Sequence, residues 1–213
     1  MSVPRKIIGI GRNYQAHAKE LGNTVAENPK KMIIFLKPPT SFLAHSPSAA
    51  ILLPKGADVH HEVELGVYIG RGGKNIAETD AMAHVSGYCL ALDMTARNWQ
   101  TELQKAGHPW ARAKGCDTFC AVGDFIPKGD LSLPAGLWLS VDGEMRQKGT
   151  TADMIYPVEQ LVAECSNAFT LEEGDLILSG TPSGVGAVRA GQKIRAGIDG
   201  HGEYEWNVAN AKM

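Results

Sequence analysis

The chain has 213 residues, 44% hydrophobic and 21% charged, a size and composition that build a globular core without disulfide or metal staples. Its 21 basic and 23 acidic residues leave a net charge of −2, which gives no electrostatic footprint for nucleic acid or a membrane surface. No apolar run approaches the ~18–20 residues of a membrane span, and the apolar stretch at the N-terminus is too short for a signal peptide, so the expected location is cytoplasmic.

Twenty-four glycines and 11 prolines punctuate the whole chain, which favours many short strands over long helices. KIIGIG (6–11) reads as a strand. RNYQAHAKELG (12–22) reads as a short helix, with Asn13 as candidate N-cap and Gly22 as its stop. MIIFLKP (32–38), ILLP (51–54) and HHEVELGVYIG (60–70) read as strands, and AETDAMAHV (77–85) as a helix. SGYCLALDMTAR (86–97) is a strand running into a turn, and NWQTELQKAG (98–107) is a helix. LWLSVDGEMRQKG (137–149) is the clearest hairpin, because Asp142-Gly143 is the pair that a two-residue type I′ turn prefers. PVEQLVAECSNAF (157–169) is an amphipathic helix. DLILSGTPSGVGAV (175–188) is a buried strand entering a glycine-rich loop, and KIRAGIDGHGEYEWNV (193–208) closes the chain as β structure. Strands and helices do not alternate as a doubly wound parallel sheet requires. The class is α+β with β dominant, in one domain over residues 1–213.

Glu62 and Glu64 pose the chemical question. On a strand, residues two apart share a face, with Cα atoms about 6.5–7 Å apart. Two carboxylates leaning toward one point resist joint ionisation unless a cation lies between them. The strand over 86–97 delivers Asp93 after an apolar run. Two glutamates and an aspartate make an all-oxygen set, which suits Mg²⁺ or Mn²⁺ rather than zinc or copper. The bland alternative is that the two glutamates line a solvent face. His60 and Glu62 also invite a facial triad for iron, but no further histidine stands at a matching spacing. The four cysteines, Cys89, Cys116, Cys120 and Cys165, contain no CxxC pair and read as reduced, mostly buried thiols.

Other signals are weaker alone. His17 and Glu20 are three apart and share a helix face, an arrangement that supports a general base or is simply an exposed pair. SGTPSGVG (179–186) could cradle an anion with backbone N–H groups, but it is not a Walker loop. GIGRNY (9–14) lacks the third glycine of the dinucleotide fingerprint. Lys114, in a turn-like stretch, would alone be a surface lysine.

Taken in order, GRNYQAHAKELG, FLKPPTSF, HHEVELGVYIG, GYCLALDMTARNWQ, PWARAKGCDTF and EEGDLILSGTPSGVG resemble the fumarylacetoacetate hydrolase family. The resemblance covers nearly the whole chain and is greatest to the short single-domain members of acylpyruvase and oxaloacetate decarboxylase type. It implies a mixed β-sandwich roll with short flanking helices, a homodimer, and Mg²⁺ or Mn²⁺ held by Glu62, Glu64 and Asp93. It puts a catalytic His17–Glu20 pair on a lid helix over residues 12–22 and a substrate-contacting lysine at Lys114. Arg12, Lys37, Arg97, Gln100 and Thr181 fall in its other signature segments and are taken as substrate contacts.

The implied substrate is a small 2-oxo acid. The first expectation is hydrolysis of the C–C bond of 3-acylpyruvates through a metal-stabilised pyruvate enolate, with His17 activating water. The alternative is decarboxylation or keto–enol tautomerisation of oxaloacetate at the same site. Isomerisation of an unsaturated diacid and a non-catalytic metal- or ligand-binding module are further alternatives.

Overall fold

The protein is described by a computed structural model that covers residues 2–16 and 31–212. Three sheets dominate it. The largest has eight strands, along the path Ile33–Lys37, Ile7–Gly11, Leu176–Leu178, Val63–Ile69, Val85–Asp93, Cys120–Val122 and Phe42–Ala44. Its eighth strand, Ile126–Pro127, pairs off this path with Val85–Asp93. A five-stranded sheet follows the order Glu144–Thr150, Gly136–Val141, Lys193–Ile198, Glu203–Asn210 and Ala50–Leu53. A small third sheet joins Gly186–Ala187, Val59–His61 and Thr95–Ala96. This is the strand-dominated α+β roll expected from the sequence.

The burial pattern explains the layering. Glu203–Asn210 alternates, with Tyr204, Trp206 and Val208 buried between exposed neighbours, as a strand with one solvated face does. Val63–Ile69 is buried along all seven residues, so both faces of the large sheet are covered. Val63, Leu65 and Val67 join the main core with Leu139, Ala196 and Trp206 of the five-stranded sheet. On the opposite face Tyr68, Cys89, Ala91 and Cys120 form a second apolar cluster. All four cysteines are free thiols, and Cys116 alone is only half-buried.

The strand expected over 60–70 is two strands. Val59–His61 pairs within the small sheet and Val63–Ile69 within the large one. Glu62 is the joint between them. Pairing continues through it, since the Asp93 N–H donates to the Glu62 carbonyl at 2.9 Å. The pleat is therefore kept, and Glu62, Glu64 and Asp93 share the face turned away from the main core.

Other departures are local. The 77–85 segment is a 3-10 run, Glu78–His84, rather than an α-helix. No side chain caps it, and the chain passes directly into the strand Val85–Asp93, which leaves no length for a regular helix to propagate. The helices Arg97–Lys105 and Val158–Ala168 lie where the sequence puts them. The Asp142-Gly143 turn has positive φ at both residues, 51° and 83°, as a type I′ turn demands. The strands Phe42–Ala44 and Cys120–Val122 and the short helix Ala111–Lys114 were not anticipated. Of the helix expected over 12–22, residues 17–22 lie outside the described residues.

Close strand contact at Gly87 offers a test of this packing. A Cβ there would lie 2.3 Å from the Ile126 carbonyl oxygen, whereas one at Gly129 meets nothing within 4 Å. Gly87→Ala is expected to cost about 1–3 kcal/mol of stability and Gly129→Ala less than about 0.5 kcal/mol, as read from urea denaturation midpoints.

Candidate active site

Glu62, Glu64 and Asp93 are all buried, and each offers a carboxylate oxygen within 4.8 Å of the others. The solvent-face alternative is thereby overturned. Buried carboxylates need partners, and the chain provides three cations. Lys114 Nζ bridges Glu62 Oε2 at 2.8 Å and Asp93 Oδ2 at 2.5 Å. Lys37 Nζ donates to the other Asp93 oxygen at 2.5 Å and to the Met94 carbonyl at 3.3 Å. Arg97 pairs with Glu62 through Nη2, and its Nη1 donates to Gln100 Oε1 at 2.5 Å.

Glu64 has weaker compensation. Its Oε2 accepts the Gly180 N–H at 2.7 Å. Burial, with Asp93 and then Glu62 beside it, pushes its carboxyl well above the usual carboxylate range, against the opposing pull of Lys114 and the Gly180 N–H. Lys114 behaves oppositely. Burial alone would lower its pKa, but Asp93 and Glu62 outweigh it and hold the ammonium above its ordinary value. Lys114 ends the short helix Ala111–Lys114 and is almost fully buried, not the surface lysine that its local sequence suggests.

A cavity of about 210 Å³ opens over this cluster. Glu62, Glu64, Arg97, Lys114 and Thr181 form its charged and polar end, and Arg12 also lines it. Arg97, Gln100, Thr101 and Gln104 line it from one face of the helix Arg97–Lys105, at the i, i+3, i+4, i+7 spacing that shares a helix side. Ile10, Phe35 and Trp110 supply apolar wall, the two rings 5.8 Å apart and Lys114 Nζ 4.9 Å above the Phe35 ring. Lys37 does not line the cavity. It lies behind Asp93, so the geometry does not present it as a substrate contact. His17 and Glu20 fall outside the described residues.

The glycine-rich loop gives one backbone N–H, that of Gly180, to the Glu64 carboxyl. Gly180 has φ of +94°, and a Cβ there would stand 2.6 Å from the Asn13 Cβ. Asn13 itself, read as a helix cap, spans two segments instead. Its amide donates to the Tyr156 and Ser179 carbonyls at 3.0 and 2.7 Å and accepts the Tyr156 N–H at 2.8 Å. The histidines face elsewhere. His60 contacts Asp58 at 3.1 Å and His61 contacts Gln147 at 2.9 Å, so neither joins a metal triad. Burial lowers the pKa of both. Gln147 was not singled out in the sequence. It is fully buried at the centre of a polar run, EMRQKGT, where an apolar residue is expected to face the core. The register shift between Leu139 and Ser140 turns Gln147 inward and Met145 outward.

The all-oxygen triad fits a hard dication. Among the described residues it is the only such group. In the metal-free protein the raised Glu64 pKa favours folding below the unfolded carboxyl pKa. That contribution is lost as pH rises through the raised value. Metal-free protein is therefore expected to gain melting temperature as pH falls through the raised Glu64 value toward the ordinary carboxylate range, before general acid unfolding sets in. Mn²⁺ is expected to reverse the slope by displacing the proton. Glu64→Gln should flatten the slope and remove the Mn²⁺-dependent gain; calorimetry showing an unchanged slope would refute the assignment.

Residues 6–209 match the family model described as fumarylacetoacetate (FAA) hydrolase C-terminal. A mitochondrial oxaloacetate tautomerase of Oryza sativa subsp. japonica is 50% identical over 100% of this chain and 94% of its own. A mitochondrial oxaloacetate decarboxylase of Dictyostelium discoideum is 49% identical over 92% of this chain and 89% of its own. The crystal structure of fumarylpyruvate hydrolase from Pseudomonas aeruginosa with Mn²⁺ and pyruvate superposes with a TM-score of 0.91 at 35% identity. That match covers 98% of this chain and 91% of the other. The chain belongs to the fumarylacetoacetate hydrolase family and is one of its enzymes.

Proposed function

We propose that the protein interconverts the keto and enol forms of oxaloacetate, using Mg²⁺ or Mn²⁺ held by Glu62, Glu64 and Asp93. The observation that carries the reading is the charge balance. Three carboxylates stand against Lys37, Lys114 and Arg97. A dication that displaces the Glu64 proton would leave two positive charges facing the cavity, with Arg12 at its wall. A dianion such as oxaloacetate neutralises the excess. The relatives at about half identity, one of them an oxaloacetate tautomerase, support the same choice.

The bound dication supplies Lewis-acid polarisation of the C2 carbonyl. The chain's residues do the rest. Arg97 and Lys114 share their charge between Glu62 and the substrate's carboxylates. Gln100, held by Arg97, and Arg12 orient the substrate. Lys37 holds the Asp93 carboxylate in place from behind, through Oδ1. His17, supported by Glu20 on a lid over residues 12–22, takes the proton from C3 or returns it. The net change breaks the C3–H bond and forms an O–H bond at the C2 oxygen, and no carbon–carbon bond breaks. One catalytic domain working as a cytoplasmic homodimer completes the proposal.

Hydrolysis of 3-acylpyruvates, the first expectation from sequence, is the second reading. What supports it is the likeness to fumarylpyruvate hydrolase. It uses the same site, with His17 deprotonating a water instead. Purified protein loaded with Mn²⁺ is expected to accelerate decay of the enol absorbance of oxaloacetate. Exhaustive chelation should abolish the effect, and His17→Ala should lower the rate at least about 100-fold. Fumarylpyruvate cleavage without enol turnover would transfer the assignment to the second reading.

A further inference from the structure

Gln147 lies at the junction of all three sheets and makes four hydrogen bonds. Its Oε1 accepts the Val63 N–H at 3.1 Å and a proton from His61 Nδ1 at 2.9 Å. Its Nε2 donates to the Pro182 carbonyl at 2.9 Å and to Thr181 Oγ1 at 2.8 Å. Two of these partners are backbone groups whose roles cannot change. The Val63 amide only donates and the Pro182 carbonyl only accepts, so the orientation of the Gln147 amide is fixed.

The consequence reaches the cavity wall. Thr181 Oγ1 receives one proton from Gln147. Its own proton goes to the Val63 carbonyl at 2.7 Å, which can only accept. A hydroxyl has one proton and two lone pairs. The proton and one lone pair are used, so Thr181 can offer the cavity only a lone pair. A carboxylate has no proton to give it. An enol hydroxyl does.

We propose that Gln147 is a positioning residue that fixes the Thr181 hydroxyl as a hydrogen-bond acceptor, and that this contact selects the enol hydroxyl of the substrate rather than a carboxylate. The inference rests on the tautomerase reading for the name of the ligand group, but its geometry does not depend on turnover. It narrows the role of Thr181 from a general substrate contact to an acceptor for a substrate hydroxyl. Carboxylate recognition falls to the cations instead.

The test is a binding ratio. Malonate and hydroxymalonate differ by one hydroxyl, and each is titrated calorimetrically into Mn²⁺-loaded protein. The wild type is expected to prefer hydroxymalonate. Thr181→Val should lower hydroxymalonate affinity about fivefold to tenfold, the value of one hydrogen bond, and leave malonate affinity within about twofold. Thr181→Ser should restore the preference. Gln147→Met should weaken the preference without weakening malonate, whereas a merely structural role would weaken both ligands together. If Gln147→Met does not fold, the valine and serine variants decide alone. Equal loss of both ligands in Thr181→Val, or no preference in the wild type, overturns the inference. Failure of oxaloacetate turnover with the ratio intact overturns the tautomerase reading and leaves the hydroxyl polarity standing.

Discussion

Three carboxyl groups and three cations share one buried cluster, and the rest of the structure is arranged around compensating its charge. An unpaired charge at such depth costs several kcal/mol, so neither set can stand without the other. Lys37, Lys114 and Arg97 come from separate segments and converge on Glu62 and Asp93. They are not equivalent. Lys37 is sealed behind Asp93, away from the cavity, while Lys114 and Arg97 line it. A dication and an anionic substrate would enter as the cavity-lining pair changes partners. The sealed lysine stays paired with Asp93. One cation is thus structural and two are exchangeable.

The sheet joint at Glu62 makes that division available. A continuous strand would keep Glu62 under the pairing of one sheet. The chain changes sheets at this residue, yet its carbonyl still accepts the Asp93 N–H. The side chain gains room to meet Arg97 and Lys114 while the backbone stays ordered. Gln147 reinforces both flanks, through the His61 ring and the Val63 amide. The five-stranded sheet therefore contributes to the site although none of its residues lines the cavity.

The sequence carries the parts of this arrangement that obey a local period. Val63, Leu65 and Val67 alternate, so the burial of their face is readable. The pleat then puts Glu62 and Glu64 together on the other side. Asp142-Gly143 demands positive φ, so its hairpin is readable too. The sheet change at Glu62 has no local signal, because the backbone remains extended on both sides. Lys37 and Lys114 are similarly silent. Their burial depends on carboxylates 56 and 21 residues away. Gln147 is hidden by a register shift at its own strand, where Arg146 is skipped in the pairing with Gly136–Val141. Family resemblance pointed to the lysines because it carries long-range contacts that one chain's periodicity cannot.

Cavity size bears on the choice between reactions. About 210 Å³ is below the ~300–1,000 Å³ usual for drug-sized ligands, so the described walls suit a small acid. A four-carbon diacid presents both carboxylates within a short span, where the exchangeable cations and Arg12 can reach them. A longer acylpyruvate must fit its far end into the same volume. Hydrolysis also needs a water placed beside the scissile carbonyl, in addition to the substrate. Tautomerisation needs neither the extra length nor the extra reactant. It asks only that one proton move while negative charge on the C2 oxygen is stabilised, and electrostatic stabilisation of developing charge is what a buried, preorganised cluster does best. The geometry therefore favours the reaction that makes the smaller spatial demand, and the shared enolate chemistry explains why one family scaffold serves both.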